Sequence, residues 1–142
     1  MDFPVHFIQA GREFNTLEKH VPAPYFRKEI YTDKAVTARV LIAACGFYEL
    51  YINGINCTKG PLAPYISNTD DIVYYDSYEL PLKEGNNAVG ILLGNGFQNN
   101  PGGYIWDFDK AVFRGAPSFA MSLTWQNADG STVSVQSDNT FR

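Results

Sequence analysis

The stretch AVTARVLIAACGFYELYING, residues 35–54, predicts two neighbouring β-strands and a hairpin after them. In its first half, apolar side chains alternate with Thr37 and Arg39, which indicates a strand with one buried face. Its second half is rich in aromatic and β-branched residues and ends in Asn53-Gly54. Both of these residues tolerate the positive φ of a type I′ turn, so the stretch favours antiparallel β-structure.

Similar short runs recur along the chain, and a second hairpin signal, Asp129-Gly130, lies between the last two. The sequence has no long apolar pattern of helical period that could cover a parallel sheet, and helix is predicted only at 15–20 and around 107–113. We therefore predict an all-β fold, an antiparallel β-sandwich of jelly-roll type with seven or eight strands. The predicted strands are 26–32, 35–44, 47–52, 72–80, 87–94, 118–125 and 131–137.

Composition narrows the classes of partner. The 142 residues carry a formal net charge of −4, and the lysines and arginines are scattered, which argues against nucleic acid and anionic membranes as partners. No run approaches the roughly 18 apolar residues of a membrane-spanning helix. The start, MDFPVHFIQAG, lacks a basic region followed by an apolar core, so no signal peptide is predicted. We expect residues 1–142 to form one domain.

The sequence offers little for nucleophilic or zinc chemistry. Gly-x-Ser-x-Gly is absent, and neither His6 nor His20 lies in the context of a catalytic triad or at metal-ligand spacing. Cys45 and Cys57 flank the predicted hairpin. Two buried, inert thiols are the favoured interpretation, and a cross-strand disulfide is the alternative.

Asp107 and Asp109 are the candidate pair of carboxylates. In extended backbone, residues two apart are separated by about 6.6 Å, close to the roughly 6.5–9.5 Å between the carboxyl groups of inverting glycosidases. Neighbouring carboxylates on one strand lie side by side, however, and do not flank a bond. Solvated loop acids are the favoured interpretation.

The segment SNTDD, residues 67–71, supplies oxygen ligands of the kind that Ca²⁺ prefers. The candidate ligands are Asn68, Asp70 and Asp71. EF-hand spacing is absent, and Asx-rich turns also occur for reasons of hydrogen bonding alone. A calcium site and a plain turn therefore both remain open here.

The segment LGNGFQNNPGGYIWDF, residues 93–108, opens the longest stretch without a predicted strand, which runs from Gly94 to Pro117. Loops of this length in compact domains are usually functional or disordered, and the aromatic residues argue against disorder. Flat aromatic faces stack on sugar rings, and Asn and Asp match vicinal hydroxyls. The alternative is that the aromatics pin the loop to the sandwich or to a neighbouring domain.

An ordered series of motifs between residues 23 and 137 resembles the N-terminal domain of bacterial α-L-rhamnosidases, the inverting glycoside hydrolases of family 78. Single pieces such as Leu-Gly-Asn-Gly are weak signals, whereas the order of the series is specific. The motifs are APYFRKE (23–29), ARVLIAACGFYELYINGINC (38–57), LAPY (62–65), VYYDSYEL (73–80) and GNNAVGILLGNGFQNNPGG (85–103).

The resemblance implies a β-sandwich accessory domain placed before an (α/α)₆-barrel, which carries the family's acid and base carboxylates. This chain alone is therefore not expected to hydrolyse a substrate. In some members the equivalent sandwich binds terminal L-rhamnose with a calcium ion. Thr58 and Lys59 stand where an acidic residue is expected, and Phe97 stands where Trp is common, so calcium is possible in this chain and not required.

Two functions follow from the resemblance and the loop chemistry. The first is a non-catalytic carbohydrate-binding accessory domain of an α-L-rhamnosidase, with a rhamnose-containing glycan and the parent's catalytic domain as partners. The second is a purely structural domain that packs on the catalytic barrel. The family implies a periplasmic or secreted parent. The residues expected to contact the sugar are Asn95, Phe97, Asn99, Tyr104, Trp106 and Asp107.

Overall fold

The computed structural model describes residues 3–142, except for the side chain of Tyr104, and shows two sheets packed face to face. Strands in this part of the chain alternate between the sheets in a way that buries their apolar faces together. None of its helices has the length and hydropathy that crossing a membrane requires. The strands are β1 (Tyr25–Thr32), β2 (Val36–Cys45), β3 (Phe47–Ile52), β4 (Ile55–Asn56), β5 (Tyr75–Leu82), β6 (Gly85–Gly94), β7 (Ser118–Gln126) and β8 (Thr132–Gln136).

The strand order is β1-β6-β3-β4 in one sheet and β5-β2-β7-β8 in the other, and every pairing is antiparallel. The chain crosses between the sheets after β1, β2, β4, β5 and β6. Pairing of β2 with β7 and of β3 with β6 is the wrapped arrangement of a jelly roll. The predicted antiparallel β-sandwich is confirmed.

The core lies between the sheets, and β2 is its central strand. Ala38, Val40 and Ile42 have no exposed surface, as their alternation predicts. Leu41, on the opposite face of β2, is also buried at 2% exposure. The chain's first segment crosses this outer face, where the ring of Phe3 lies 5.1 Å from that of Tyr75.

The predicted hairpin turn is confirmed, because Asn53 and Gly54 have φ of 52° and 83° between β3 and β4. The predicted strand 72–80 begins later, at Tyr75, because the amide of Ile72 donates to the carbonyl of Asn68 and closes a turn. The predicted helix at 15–20 is wrong. The hydroxyl of Thr16 accepts from the amide of Lys19 (2.9 Å) and stabilises a turn instead.

Residues 95–117 contain no strand, in agreement with the sequence-based expectation of a long loop. Short helical turns organise it: a 3₁₀ turn at Gly96–Asn99, helix α1 at Gly103–Trp106, and a 3₁₀ turn at Phe108–Lys110. The helix predicted around 107–113 is therefore reduced to this last turn. We call residues 94–117 the β6–β7 loop.

Both cysteines are free thiols and half-buried, so the cross-strand disulfide is not formed. Burial raises the pKa of the Cys45 thiol, although hydrogen bonds with Ser118 and Thr69 oppose the shift. A thiol with a raised pKa carries little thiolate at neutral pH and is a poor nucleophile. The favoured interpretation of inert thiols agrees with this environment.

Candidate functional site

Buried asparagines fasten the start of the β6–β7 loop to the N-terminal segment. Asn99 has no exposed surface, and its Nδ2 donates to Asn95 Oδ1 (2.9 Å) and to the carbonyl of Glu13 (3.2 Å). The amide of Asn15 donates to Asn99 Oδ1 (3.0 Å), and Asn95 Nδ2 donates to the carbonyl of Val21 (2.8 Å). These carboxamides hold the backbone in place.

The prediction that Asn99 contacts a sugar hydroxyl is therefore corrected, whereas the same prediction for Asn95 stays a prediction. Asn99 lies behind the loop surface, and each of its side-chain polar atoms already has a protein partner. Asn95 uses both its oxygen and its nitrogen in the same network. Burial and full hydrogen bonding leave the side chain of Asn99 no free group for a ligand. Asn95 is half-buried, and its Nδ2 donates one hydrogen bond.

A second set of contacts holds the loop at residue 98 and at residues 113–114. Gln98 Nε2 donates to the carbonyl of Phe113 (2.7 Å), and the hydroxyl of Thr69 donates to Gln98 Oε1 (2.8 Å). Arg114 donates to the carbonyl of Asn15, and its guanidinium carbon lies 4.9 Å from the centroid of the Phe14 ring. The β6–β7 loop is thus anchored near both of its ends.

Four aromatic rings form one cluster on the surface of this loop. The Phe108 ring packs edge-on against Phe97 (centroids 5.6 Å apart) and Phe113 (6.3 Å) and stacks at 30° on Trp106 (6.1 Å). Trp106 remains 69% exposed and Phe97 44% exposed, whereas Phe108 is half-buried beneath them. We call these four residues the aromatic platform. Its outer faces are available to a flat apolar ligand.

Asp107 lies next to the platform, in the left-handed region (φ 48°), between α1 and the following 3₁₀ turn. Its carboxylate is exposed and lies 3.4 Å from the ammonium of Lys110. Asp107 and Asp109 line a polar groove of about 580 Å³ between the β6–β7 loop and the turn at residues 15–18. The predicted contact Tyr104 falls within α1, but its side chain lies outside the described part of the structure.

The candidate calcium ligands form a tight turn. Asn68 Nδ2 donates to the Asp71 carboxylate (2.7 Å), and the amide of Asp70 donates to Asn68 Oδ1 (3.2 Å). Among the described residues, no cluster of three or more His, Cys, Asp and Glu side chains is arranged to hold a metal. The Asx-turn interpretation accounts for these hydrogen bonds, and the calcium site stays a prediction.

Several residues of this region escape sequence reasoning. Phe113 is part of the platform although it lies outside the segment 93–108 whose aromatic residues the sequence analysis considers. Asp76 and Tyr78 lie in a predicted strand, and both hydrogen-bond to Tyr48 across the sandwich, at the floor of a separate cleft. A polar residue on the inner face of a predicted strand is the one signal that could have drawn attention to Asp76.

Comparisons with known proteins agree on one family. Residues 33–142 match the model of the α-L-rhamnosidase N-terminal domain. An α-L-rhamnosidase from Formosa agariphila is 35% identical over an alignment of 130 residues. The alignment covers 84% of this chain and 13% of that protein. The chain thus spans about an eighth of the curated relative that it matches.

Solved structures give the same result for the fold. The native α-L-rhamnosidase of Aspergillus terreus superposes with a TM-score of 0.79 at 27% identity, over 99% of this chain and 16% of that one. A lectin from Pleurotus ostreatus in complex with GalNAc superposes with a TM-score of 0.57 at 27% identity, over 82% of this chain and 28% of the lectin. The sandwich is therefore shared by rhamnosidases and by a sugar-binding lectin.

Proposed function

Because the chain belongs to the family of α-L-rhamnosidase N-terminal domains, we propose that it is a non-catalytic, carbohydrate-binding accessory domain of such an enzyme. The parent enzyme would remove terminal L-rhamnose from glycans or glycosides with inversion. The domain would hold the rhamnosylated chain close to the catalytic domain, on which it packs. Holding a substrate at high local concentration raises its rate of capture without any chemistry in this domain.

The observation that supports sugar binding best is the exposed indole of Trp106 on an anchored loop. A Trp side chain that is 69% exposed leaves a large apolar face in water, and Phe108 fixes its orientation from below. The apolar face of a pyranose covers such a ring, while Asp107 beside it can accept hydrogen bonds from hydroxyls. A rigid platform loses little conformational entropy on binding.

The acidic groups near the platform support a non-catalytic role. Asp107 and Asp109 lie two positions apart on one short segment and line the same groove. Inverting hydrolysis needs two carboxyl groups on opposite sides of the scissile bond. Calcium, if it takes part, would be held by Asn68, Asp70 and Asp71, and it would contribute to binding alone.

A purely structural domain is the second candidate, and a specific observation favours it. Ile105 and Val112 are 83% and 90% exposed on the same loop as Trp106. Aliphatic side chains offer a sugar neither a stacking face nor a hydrogen bond. Contiguous exposed apolar surface instead marks protein interfaces, so the catalytic domain is the natural partner in this case.

Titration of the chain with L-rhamnose, followed by amide NMR shifts and calorimetry, separates the two candidates. For a binding domain we expect saturable shifts at the β6–β7 loop, abolished in Trp106→Ala and retained in Tyr31→Ala, an exposed aromatic on the outer face of β1. A repeat with calcium tests Asn68, Asp70 and Asp71 through their own amides. Absence of any response at millimolar sugar, with and without calcium, would leave the structural role.

A further inference from the structure

A cleft separate from the aromatic platform lies where β3 and β5, from opposite sheets, are joined by hydrogen bonds. The chain after β4 borders this cleft, since the amide of Tyr48 donates to the carbonyl of Ala63 (2.8 Å) and that of Lys59 to the Tyr78 hydroxyl (3.3 Å). The cleft measures about 310 Å³. It is lined by Lys59, Gly60, Pro61, Leu62, Ala63, Pro64, Tyr65 and Asp76.

The floor of the cleft carries a fixed hydrogen-bond acceptor. The hydroxyl of Tyr48 donates to Asp76 Oδ2 (2.5 Å) and lies 2.7 Å from the hydroxyl of Tyr78. Both tyrosines are buried, whereas Asp76 is half-buried and faces the cleft. The carboxylate is therefore held in one orientation, with further lone pairs directed to a ligand.

Lys59, which also lines the cleft, supplies a hydrogen-bond donor. Its ammonium lies 4.9 Å from the centroid of the Tyr78 ring, a cation–π contact that fixes the end of the side chain. Among the described residues, no carboxylate forms an ion pair with this ammonium. The side chain therefore brings an oriented, unneutralised donor to the mouth of the cleft.

Tyr65 connects the cleft to the β6–β7 loop. Its ring is 85% exposed and packs edge-on against Tyr74, with centroids 6.4 Å apart. Tyr65 also borders the neighbouring depression that Phe97 and Gln98 line. Tyr65 thus lines both the cleft and the depression that reaches Phe97 of the aromatic platform.

We propose that the cleft of Lys59, Tyr65 and Asp76 is a second carbohydrate subsite, which holds a neutral sugar residue of the same glycan next to the one on the platform. The inference rests on the proposed carbohydrate-binding function and extends it from a terminal sugar to an oligosaccharide. The volume of the cleft is near the lower limit of about 300 Å³ for small-molecule sites, which suits one sugar ring.

The chemistry of the cleft selects this ligand class. A vicinal diol both donates and accepts, so one hydroxyl can donate to Asp76 while its neighbour accepts from Lys59. Lys59 and Asp76 carry opposite charges, so neither an anionic nor a cationic ligand gains net electrostatic attraction in the cleft. Tyr65 and the prolines provide apolar surface for the carbon face of the ring.

The test compares L-rhamnose with a neutral trisaccharide that ends in L-rhamnose, both titrated into the chain by calorimetry. We expect the trisaccharide to bind at least about tenfold more tightly than rhamnose. Lys59→Met keeps the stem over Tyr78 but removes the ammonium, and it should weaken the trisaccharide about tenfold and leave rhamnose unchanged. Tyr65→Ala should do the same. Lys83→Met, at an exposed position in the turn between β5 and β6, is the matched control.

Each other result overturns the proposal in a distinguishable way. Equal affinities for the two sugars, or no effect of Lys59→Met and Tyr65→Ala, would show that the cleft is not a subsite, while the loss in Trp106→Ala would still uphold the platform. Tighter binding of a trisaccharide with a uronic acid would refute the neutral sugar. No binding of either sugar would refute the proposed function itself.

Discussion

Replacement of Asn99 by Ala tests whether the β6–β7 loop is held by buried carboxamides or presents them to a sugar. The substitution removes three hydrogen bonds and leaves the amide of Asn15, the carbonyl of Glu13 and the Oδ1 of Asn95 without this partner. Each intramolecular hydrogen bond contributes about 0.5–1.5 kcal/mol, and unsatisfied buried groups raise the loss. Some water will enter the site, so we expect the free energy of unfolding to fall by about 2–4 kcal/mol.

Urea unfolding followed by tryptophan fluorescence and circular dichroism measures this loss, and an unchanged m-value would show that the unfolding reaction is the same. Asn86→Ala removes the same group from an exposed position on β6 and should change the stability by less than about 0.5 kcal/mol. In the double variant Asn95→Ala/Asn99→Ala, the loss should be smaller than the sum of the single losses, since the two side chains share a hydrogen bond.

A loss in Asn99→Ala below about 0.5 kcal/mol, together with weaker sugar binding, would refute the structural role. That pair of results would restore Asn99 as a contact for sugar hydroxyls, as its position in the sequence predicts. The affinity has to be measured at a temperature and urea concentration where the variant is folded. Otherwise a lower population of folded molecules would imitate a lost contact.

Two further predictions concern the sandwich. Tyr48→Phe should destabilise the fold by about 1–3 kcal/mol, because it removes the donor to Asp76. Burial raises the pKa of Tyr48. The stability that this protonated hydroxyl contributes is therefore present below the unfolded-state pKa of about 10 and should fall as the pH rises above it. Urea unfolding between pH 8 and 11 should show a shallower fall in Tyr48→Phe than in the unsubstituted protein. Gly46→Ala should cost at least about 2 kcal/mol, because Gly46 has φ of 107° and a Cβ there would lie 2.5 Å from the carbonyl oxygen of Gly94. Gly11→Ala, where a Cβ meets nothing within 4 Å, is the matched control, and equal Tm values for the two variants would contradict the strain argument.

Local patterns in the sequence determined most of the fold. Side-chain alternation identified β2, and Asn53-Gly54 identified the hairpin, because a strand exposes every second residue and a type I′ turn needs two positive φ values. Where a tertiary or side-chain contact competed with the local pattern, prediction failed. Thr16 closed a turn in place of a helix, and the turn at Asn68 delayed the start of β5.

The candidate site depended on tertiary structure to a larger degree. Composition alone identified the β6–β7 loop as aromatic and rich in Asn, and it could not say which side chains face water. Asn99 and Trp106 are seven positions apart in similar surroundings, yet one has no exposed surface and the other is 69% exposed.

The physical reason is that exposure in an irregular loop follows from partners that are distant in sequence. Asn99 is buried because Asn15, 84 positions earlier, hydrogen-bonds to it, and no periodicity encodes such a contact. The cleft at Lys59 and Asp76 likewise depends on contacts between β3 and β5, which belong to different sheets. The sequence by itself determined the strands, the hairpin and the family, and the tertiary structure decided which polar groups hold the loop and which remain exposed to water.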